Sequence, residues 1–343
     1  MVHLNAANTY TGATTVRAGV LNIRNATALG TVDGATSVAN SAALQIENNI
    51  TVGAEALSLS GTGVSSTGAL RNISGNNTYG GLVTLGADSR INSDAGSLLI
   101  SNAGTITGDG LGLTVGGAGN ASIASIIGTG AGTLTKDGAG SLTLSGANTY
   151  TGGTSVSAGS LIVNGSLANT ALAVQTGALL GGSGSIGSGE ALVAIQSGGS
   201  LSPGNSPGML TVNGNLTLSL GSSYDYQLTS GSVLADSVDV NGALILGDAA
   251  LILTNLGTYV ANQRFTLFAY ESIKGTFIGL ADDTTFTAGG GDWLINYNDT
   301  TGGLNTEAVG TSYVTITAVP EPSALALLGL GTLGLIARRR RTA

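Results

Sequence analysis

The chain has 343 residues, of which 57 are glycine, 4 are proline and none is cysteine. Charged residues make up 9% and aromatic residues 4%, whereas hydrophobic residues reach 42%. This composition excludes collagen, disfavours disorder, and rules out disulfides, thiolate metal sites and cysteine nucleophiles. Because glycine in a helix interior costs about 1 kcal/mol relative to alanine, the composition predicts an all-β chain of short strands separated by turns.

The chain contains one histidine, His3, and 11 basic against 19 acidic residues. A His-based catalytic triad or a multi-histidine metal centre cannot be assembled from a single histidine, so we predict no catalytic, cofactor-binding or metal site. Four of the basic residues form the run 338–341, which leaves the remaining body strongly acidic. Such a body is repelled by nucleic acid, and we predict no nucleic-acid partner.

A repeat begins near the first residue and returns along the chain. The tripeptide Asn-Thr-Tyr occurs at 8–10, 77–79 and 148–150, so its copies stand at nearly equal intervals. Residues 4–23 and 144–163 align without gaps and are identical at more than half of their positions. Since a strand with one apolar face must stack on a neighbour to bury it, three coils of about 23 residues account for each interval. We predict a solenoid, with an ordinary glycine-rich β-sandwich as the alternative.

The two strong copies share a corner that carries glycine, Gly12 in the first and Gly152 in the second. A corner with positive φ favours glycine, because other residues are strained in that conformation. Our hypothesis is therefore that Gly152 adopts a left-handed backbone.

The segment 132–154, GTLTKDGAGSLTLSGANTYTGGT, resembles the autotransporter-associated β-strand repeat of secreted bacterial passenger domains. The segment 201–212, LSPGNSPGMLTV, is similar to another stretch that recurs in those passengers. The resemblance implies a right-handed parallel β-solenoid (β-helix) outside the cytoplasm. We assign the glycine-rich repeat region to residues 1–208.

Composition changes after this region, since 11 of the 14 aromatic residues lie beyond residue 220. Large aromatic side chains bury more area than alanine or valine and can fill a wider core. We predict that 209–317 forms a β-rich C-terminal cap, because the open end of a solenoid would otherwise expose apolar coil and unpaired edges. An aromatic surface that stacks on carbohydrate is the alternative.

The C-terminal tail combines three unlike features. As a helix, its uncharged stretch, residues 324–337, would span about 21 Å, which is shorter than the hydrocarbon core of a bilayer at roughly 30 Å. We predict a short C-terminal transmembrane helix whose arginines stay in the cytoplasm and leave everything upstream on the far side. The features are, in order, Pro320, Glu321 and Pro322, the uncharged stretch 324–337, and Arg338, Arg339, Arg340 and Arg341.

This tail, residues 318–343, resembles the PEP-CTERM sorting signal of Gram-negative bacteria. The resemblance implies recognition by an exosortase, a membrane transpeptidase-like protease, with Pro320, Glu321 and Pro322 as the recognition element. It also implies removal of the tail and a route from the inner membrane to the cell surface or extracellular matrix. These residues make the chain a substrate and not a catalyst.

Residues 1–6 have neither the basic nor the apolar region of a signal peptide, and they lie inside a repeat copy. We therefore expect a signal peptide and further coils upstream of Met1.

Two motifs suggest chemistry and are weak. The stretch Gly204–Gly208 matches G-x-S-x-G, but Pro207 removes an N–H that an oxyanion hole would use, and a turn is the better interpretation. Asp236, Asp239 and the pair Asp282–Asp283 could act as acid and base, as carboxylates do in β-helix polysaccharide lyases and hydrolases. Their sequence contexts are turn-like, so we expect them to be solvated surface residues.

We expect a non-enzymatic exported surface or matrix protein that is adhesive or associated with exopolysaccharide. The alternative is a carbohydrate-active β-helix enzyme, which would need two or three carboxylates with a Lys or Arg on neighbouring coils. An adhesin for a specific glycan or protein is a third hypothesis, and the sequence identifies no ligand for it.

Overall fold

The computed structural model describes residues 1–168, 170–204, 208–229, 235–257, 259–305 and 312–320. These residues form β-strands, and the only helical segment among them is one 3₁₀ turn at Val64–Ser66. None of their helical structure has the length and apolar character needed to span a bilayer. The predicted helix over 324–337 and the basic run 338–341 lie outside the described residues.

The strands follow one another at short intervals, with bounds as follows. The first seventeen are β1 (Val2–Leu4), β2 (Thr14–Val16), β3 (Gly19–Ile23), β4 (Ala35–Val38), β5 (Ala42–Ile46), β6 (Thr51–Val52), β7 (Ala56–Gly61), β8 (Leu70–Asn72), β9 (Asn76–Tyr79), β10 (Val83–Ser93), β11 (Ser97–Ile100), β12 (Thr105–Thr107), β13 (Leu113–Gly116), β14 (Asn120–Ile123), β15 (Ile126–Gly128), β16 (Leu134–Lys136) and β17 (Ser141–Leu144). The others are β18 (Ala147–Asn148), β19 (Thr154–Val156), β20 (Gly159–Val163), β21 (Ser166–Leu167), β22 (Leu172–Val174), β23 (Ala178–Gly182), β24 (Ser185–Ile195), β25 (Ser200–Pro203), β26 (Met209–Leu218), β27 (Ser223–Thr229), β28 (Ser237–Gly247), β29 (Ala250–Leu256), β30 (Arg264–Thr276), β31 (Thr284–Ala288), β32 (Gly291–Asp299) and β33 (Ser312–Ala318).

These strands wind into a solenoid of about 11 turns, so the predicted β-solenoid is confirmed. Each turn passes through three faces, and strands pair in parallel with the strand one turn later. Face 1 holds β1, β3, β5, β8, β13, β16, β19, β22 and the C-terminal parts of β10, β24, β26, β28 and β30. Face 2 is a separate sheet of β6, β9, β11, β14, β17, β20, β23, β25, β27 and β29. Face 3 holds β2, β4, β7, β12, β15, β18, β21 and the N-terminal parts of the five long strands.

The core consists of rows of inward side chains that stack from turn to turn at about 4.8 Å. Nearly every member of the face 1 row is aliphatic and buried. Fully burying one such side chain contributes roughly 1.5–3 kcal/mol, and the stacking therefore supplies the stability that a single coil lacks. The face 1 row runs Leu21, Leu44, Leu70, Ile91, Val115, Lys136, Val156, Val174, Ile195, Leu218 and Leu246.

The copies of the Asn-Thr-Tyr motif do not all lie on the same face of the solenoid. Asn77 and Tyr79 lie in β9 on face 2, whereas Asn148 lies in β18 on face 3. The interval between these two copies is slightly more than three turns, because coil length varies along the chain. A short coil separates Val156 from its partner Val174, and a much longer one separates Leu246 from Gly275. The sequence predicted only an average coil length, and the individual coils are shorter or longer than this average.

The asparagine of the motif has the same role on both faces. The Asn77 Oδ1 accepts a hydrogen bond from the Ile50 N–H at 2.7 Å, and the Asn148 Oδ1 accepts one from the Ile127 N–H at 2.9 Å. Both side chains are buried, and their amide nitrogens donate to nearby oxygens. The Asn148 Nδ2 donates to the carbonyl oxygens of Gly146 and Ser166, both at 3.0 Å. The asparagine of the motif therefore provides hydrogen-bond partners for buried backbone groups of neighbouring coils.

The hypothesis of a positive φ at the glycine corner is wrong. Gly152 and Gly12 are absent from the positive-φ glycines of the described chain. A Cβ at Gly152 would instead lie 2.3 Å from the Gly132 oxygen and 2.4 Å from the Ala131 oxygen, whereas a Cβ at Gly12 would meet no atom within 4 Å. Close approach of the preceding coil requires glycine at 152.

An antiparallel layer closes the C-terminal end, as the predicted cap requires. β33 pairs with β30 on one side and with β32 on the other, and β31 extends the layer. Trp293 is fully buried there, with its ring centroid 4.5 Å from that of Tyr259 and 6.0 Å from that of Phe265. Parallel pairing continues past residue 208 through β26 and β28 to β30, and antiparallel pairing begins at Arg264. The division into units at 208/209 stays a prediction.

Candidate functional site: the outer faces and the tail exit

Six charged side chains of the early turns form three ion pairs on the outer side of face 1, which we call the ion-pair row. Its pairs are Arg24–Glu47, with Nε 2.6 Å from Oε1; Arg71–Asp94, with Nε 2.8 Å from Oδ2; and Arg90–Asp137. The Arg90 guanidinium is bidentate, with 2.7 Å and 2.8 Å to the two carboxylate oxygens. Carboxylates and arginines on neighbouring coils are the arrangement that a carbohydrate-active enzyme would need. Here, each of these carboxylates is held by a guanidinium.

The Arg90–Asp137 pair crosses an intervening coil at a glycine. A Cβ at Gly116 would lie 1.8 Å from the Asp137 Oδ1 and 2.5 Å from the Arg90 Nη2. The neighbouring Asn92 connects this pair to the next, since its Oδ1 accepts from Arg90 at 2.8 Å and its Nδ2 donates to Asp94 at 2.7 Å. Gly116 therefore provides the space for a continuous polar chain along the face.

Lys136 is the one charged side chain in the inward row of face 1, and it is 1% exposed. Its Nζ donates to the carbonyl oxygens of Asp137 at 2.6 Å, Gly138 at 2.8 Å and Ala158 at 3.1 Å. Burial lowers the pKa of Lys136 to about 8, and the Asp137 carboxylate opposes this shift. With three backbone acceptors, the ammonium ties the corner of one coil to the corner of the next, which is a structural role.

The carboxylates singled out in the sequence do not come together as an acid and a base. Asp236 is fully buried; its two oxygens accept from the N–H groups of Gly208 at 3.1 Å and Gln227 at 3.2 Å. Burial raises the pKa of Asp236 to about 7, and these two donors oppose the shift.

Asp239 is 7% exposed within β28, and burial also raises its pKa. The expectation that Asp236 and Asp239 are solvated is therefore wrong, because both side chains are buried; the Asp236 carboxylate lies against residues that precede it in sequence. Asp282 and Asp283 are exposed, as expected, and bind Asn298 and Asn296 of β32.

The outer side of face 2 carries uncharged polar side chains in two parallel rows, which we call the hydroxyl rows. From β9 to β25 these strands contain no Asp, Glu, Lys or Arg. Neighbouring side chains of the first row hydrogen-bond in places, as in Ser97 to Asn76 at 2.9 Å and Ser200 to Ser223 at 2.8 Å. Apolar residues and a glycine interrupt both rows: Leu179 lies in the first, and Leu99, Ile162 and Gly181 lie in the second. The polar members of the first row are Asn76, Ser97, Asn120, Ser141, Ser160, Ser200 and Ser223, and those of the second are Thr78, Ser122, Thr143 and Ser202.

The predicted sorting residues begin where the cap ends. Ala318 is buried at the end of β33; its N–H donates to the Gln263 carbonyl, and its carbonyl accepts from the Asn262 N–H, both at 2.8 Å. The Val319 N–H donates to the Asp292 carbonyl at 2.9 Å, and Pro320 is exposed. Glu321, Pro322 and the four arginines lie outside the described residues, and their roles stay predictions.

Sequence reasoning missed the interior lysine and the ion-pair row. The signal for Lys136 was its position two residues after Leu134 in a short strand, which puts both side chains on the same side of the sheet. The ion pairs had no local signal, because Arg90 and Asp137 are 47 residues apart. Their meeting depends on coil lengths that the sequence does not display.

The described residues thus form a long parallel solenoid that is closed at its C-terminal end and carries an outer face without charge from β9 to β25. Residues 2–23 and 134–163 match the passenger-associated-transport-repeat family, and residues 318–341 match the PEP-CTERM protein-sorting motif. No curated protein matches the chain. The repeat fold and the sorting tail are those of an exported cell-surface protein. The motif implies processing by an exosortase, a membrane-associated sorting machinery.

Proposed function

We propose that this chain is a non-enzymatic surface rod whose tail anchors it for a time in the inner membrane of a Gram-negative-type bacterium. An exosortase then cuts the tail and releases the rod to the cell surface or matrix. The observation that carries the proposal is the sorting motif at 318–341, directly after the last strand of a folded solenoid. The exposed Pro320 supports it, since the predicted recognition residues begin two residues after the end of a firmly paired strand.

Two tail variants test recognition and retention separately. Glu321→Gln removes one charge and keeps the shape, so we expect membrane insertion to persist while processing slows. The uncut precursor then accumulates in the membrane fraction at higher apparent mass. Replacing Arg338, Arg339, Arg340 and Arg341 by Ser removes the positive-inside signal, so we expect the chain to lose retention. If both variants match the parent in cleavage and retention, the tail is an ordinary anchor and the proposal fails.

The finer part of the proposal is association with exopolysaccharide through the hydroxyl rows. In the first row, hydroxyl and amide groups repeat at about 4.8 Å, the spacing of parallel strands, on the consecutive strands β9, β11, β14, β17 and β20. These groups can exchange hydrogen bonds with sugar hydroxyls. The absence of charge on β9 to β25 supports a neutral glycan as the partner, because the acidic body would repel an acidic one.

Retention on an immobilised neutral β-glucan tests this association. Thr143→Glu puts a charge in the middle of the hydroxyl rows, and we expect it to reduce retention. The matched control is Thr135→Glu, which alters a half-exposed threonine on the outer side of face 1. Equal retention of the parent and both variants would contradict the assignment of the glycan to face 2.

A carbohydrate-active enzyme is the second candidate, and the ion-pair row is the observation that favours it. We propose that the row is structural, since each carboxylate is engaged by an arginine and none of the pairs has a free base. The measurement is the release of reducing ends from an acidic polysaccharide by the parent and by Asp137→Asn. Release by the parent that disappears in the variant would establish the enzyme and overturn the proposal.

A further inference from the structure

The end of the cap around the departing tail exposes apolar side chains on two neighbouring loops. Val260 is 67% exposed and Leu304 is 56% exposed. The Val260 loop is fixed to the end of β33, because Asn262 and Gln263 hydrogen-bond to Ala318. The Leu304 N–H donates to the Arg264 carbonyl at 3.0 Å, and Arg264 lies opposite Thr317 in the antiparallel pair. We call Val260, Asn262, Gln263, Arg264 and Leu304 the exit patch.

We propose that the exit patch is a membrane-contact surface that rests against the lipid bilayer while the tail is anchored. This inference rests on the proposed function, since it needs the uncharged stretch 324–337 to insert. It goes beyond that function by assigning a surface of the folded cap to the lipid.

The length of chain after the cap supports this surface. Only residues 321–323 separate Pro320 from the uncharged stretch. Fully extended, the path from residue 320 to residue 324 spans at most about 14 Å, at roughly 3.3–3.6 Å per residue. The headgroup layer of one leaflet takes up about 5–7 Å of that path. The cap end therefore stays within about 9 Å of the headgroup layer whichever way the connecting residues turn.

The short apolar stretch draws the cap closer still. Its helical length of about 21 Å falls short of a hydrocarbon core of about 30 Å. Such a mismatch is relieved by thinning of the bilayer and by sinking of the flanking residues into the interface. On this side the flanking residues lead directly to the cap, so their movement brings the exit patch and its two exposed aliphatic side chains toward the interface.

The charge of the patch agrees with a headgroup surface. Arg264 is its one charged residue; its Nη1 donates to the Thr301 carbonyl at 3.2 Å and lies 3.4 Å from the Asp299 Oδ1. The Arg264 side chain is 40% exposed, and lipid phosphates are strong hydrogen-bond acceptors for a guanidinium group. Asn262 and Gln263 add polar, uncharged groups. The patch thus combines aliphatic side chains and a cation, as interfacial surfaces do.

Because the chain has no cysteine, single labels can test the contact. Val260→Cys and Leu304→Cys are each made in the full chain, labelled with a bimane fluorophore, and reconstituted into phosphatidylcholine vesicles that carry headgroup nitroxide lipids. The matched control is Val32→Cys, which replaces a side chain that is 59% exposed on an early coil. We expect loss of fluorescence at 260 and 304 and none at 32.

Flotation of the same samples separates the two proposals. A chain that floats with the vesicles and keeps all three labels equally bright contradicts the membrane-contact surface and leaves the anchor intact. A chain that does not float contradicts the anchor, and the membrane-contact surface with it. Hydrogen exchange of unlabelled parent provides a second measurement, because segment 259–264 should gain protection in vesicles while the early coils stay unchanged. Equal exchange there with and without vesicles would also overturn the contact surface.

Discussion

At the scale of single residues, two tyrosines of the same motif meet different surroundings. The Tyr150 hydroxyl lies 2.8 Å from the Thr154 Oγ1, and the Tyr10 hydroxyl lies 2.8 Å from the Thr14 Oγ1. At the corresponding position after Tyr79 stands Val83, and the buried Tyr79 hydroxyl has no hydrogen-bond partner within the described part of the chain. Burial raises the pKa of Tyr79, with the Glu55 carboxylate adding to the shift. The repeat copy at Tyr79 therefore has a buried ring but has Val83 in place of the threonine that binds the tyrosine hydroxyl in the other two copies.

Replacing each tyrosine by phenylalanine should separate the two cases. Tyr150→Phe deletes a buried hydrogen bond and should lower the free energy of unfolding by about 0.5–1.5 kcal/mol. Tyr79→Phe removes an unsatisfied buried group and should be neutral or stabilising by up to about 1 kcal/mol. Urea unfolding of both variants checks this. An equal loss in the two variants would mean that the Tyr79 hydroxyl is bound.

The corner glycines provide a second matched pair. Gly152→Ala places a methyl group within 2.4 Å of two carbonyl oxygens. It should destabilise the fold by about 1–3 kcal/mol, the usual cost of overpacking. Gly12→Ala changes the same position of the repeat in open space and should stay within about 0.5 kcal/mol of the parent. Thermal unfolding distinguishes the two. Identical midpoints would contradict the close approach of coils at 152.

At the scale of strands, side-chain contacts connect the coils in addition to the backbone hydrogen bonds between parallel strands. The Arg90 side chain in β10 reaches Asp137 after β16, and the strand between them, β13, ends at Gly116. The Lys136 ammonium performs a similar task inside the coil by binding carbonyls of two successive corners. Both ties join elements far apart in sequence and neighbouring in space.

A double-mutant cycle measures the tie across β13. Gly116→Ala should cost about 1–3 kcal/mol, because the new methyl group displaces the Arg90–Asp137 pair. In an Asp137→Ala background the pair is already absent, so the same substitution should cost clearly less. Chemical denaturation of the four proteins gives the coupling energy. A coupling of zero would show that Gly116 does not serve the ion pair.

At the scale of the whole molecule, the solenoid and the cap are joined through a buried polar cluster. Asn305 donates to the carbonyls of Asp236 at 3.0 Å and Thr266 at 2.9 Å. The Tyr226 hydroxyl donates to the Thr266 carbonyl at 3.1 Å, and the Tyr224 hydroxyl donates to that of Leu267 at 3.0 Å. Asp236 thus lies at the junction: Asn305 binds its backbone carbonyl, and its carboxylate accepts from the N–H groups of Gly208 and Gln227.

The junction should make stability depend on pH. Burial raises the Asp236 pKa from 3.8 to about 7, so the folded state favours the protonated carboxyl. The stabilisation is complete below about pH 4 and is lost as pH rises through about 7, a change on the order of 4 kcal/mol. Asp236→Asn should flatten this part of the profile. Asp248→Asn, at an exposed position with positive φ, is the control and should keep the parent's profile. A parent profile that is flat from about pH 4 to about pH 8 would contradict the burial of this charge.

The sequence by itself determined the class of this protein. Glycine-rich corners, short β-branched strands and the returning Asn-Thr-Tyr motif predicted stacked coils, because a strand with one apolar face needs neighbours to bury it. The order of Pro320, the uncharged stretch and the arginines carried the resemblance to a sorting tail, because each of these features is local in the sequence.

Only the tertiary structure decided which residues meet. Coils of unequal length shift each side chain around the axis, and this placed the motif of Tyr150 on a different face from that of Tyr79. The tertiary structure also brought Arg90 to Asp137 and buried Asp236. It requires glycine at 152 because the preceding coil lies too close for a Cβ atom, and not because the backbone has a positive φ. The physical reason is that local patterns fix the direction of a side chain within its strand, whereas its neighbours across coils depend on the summed length of every intervening turn.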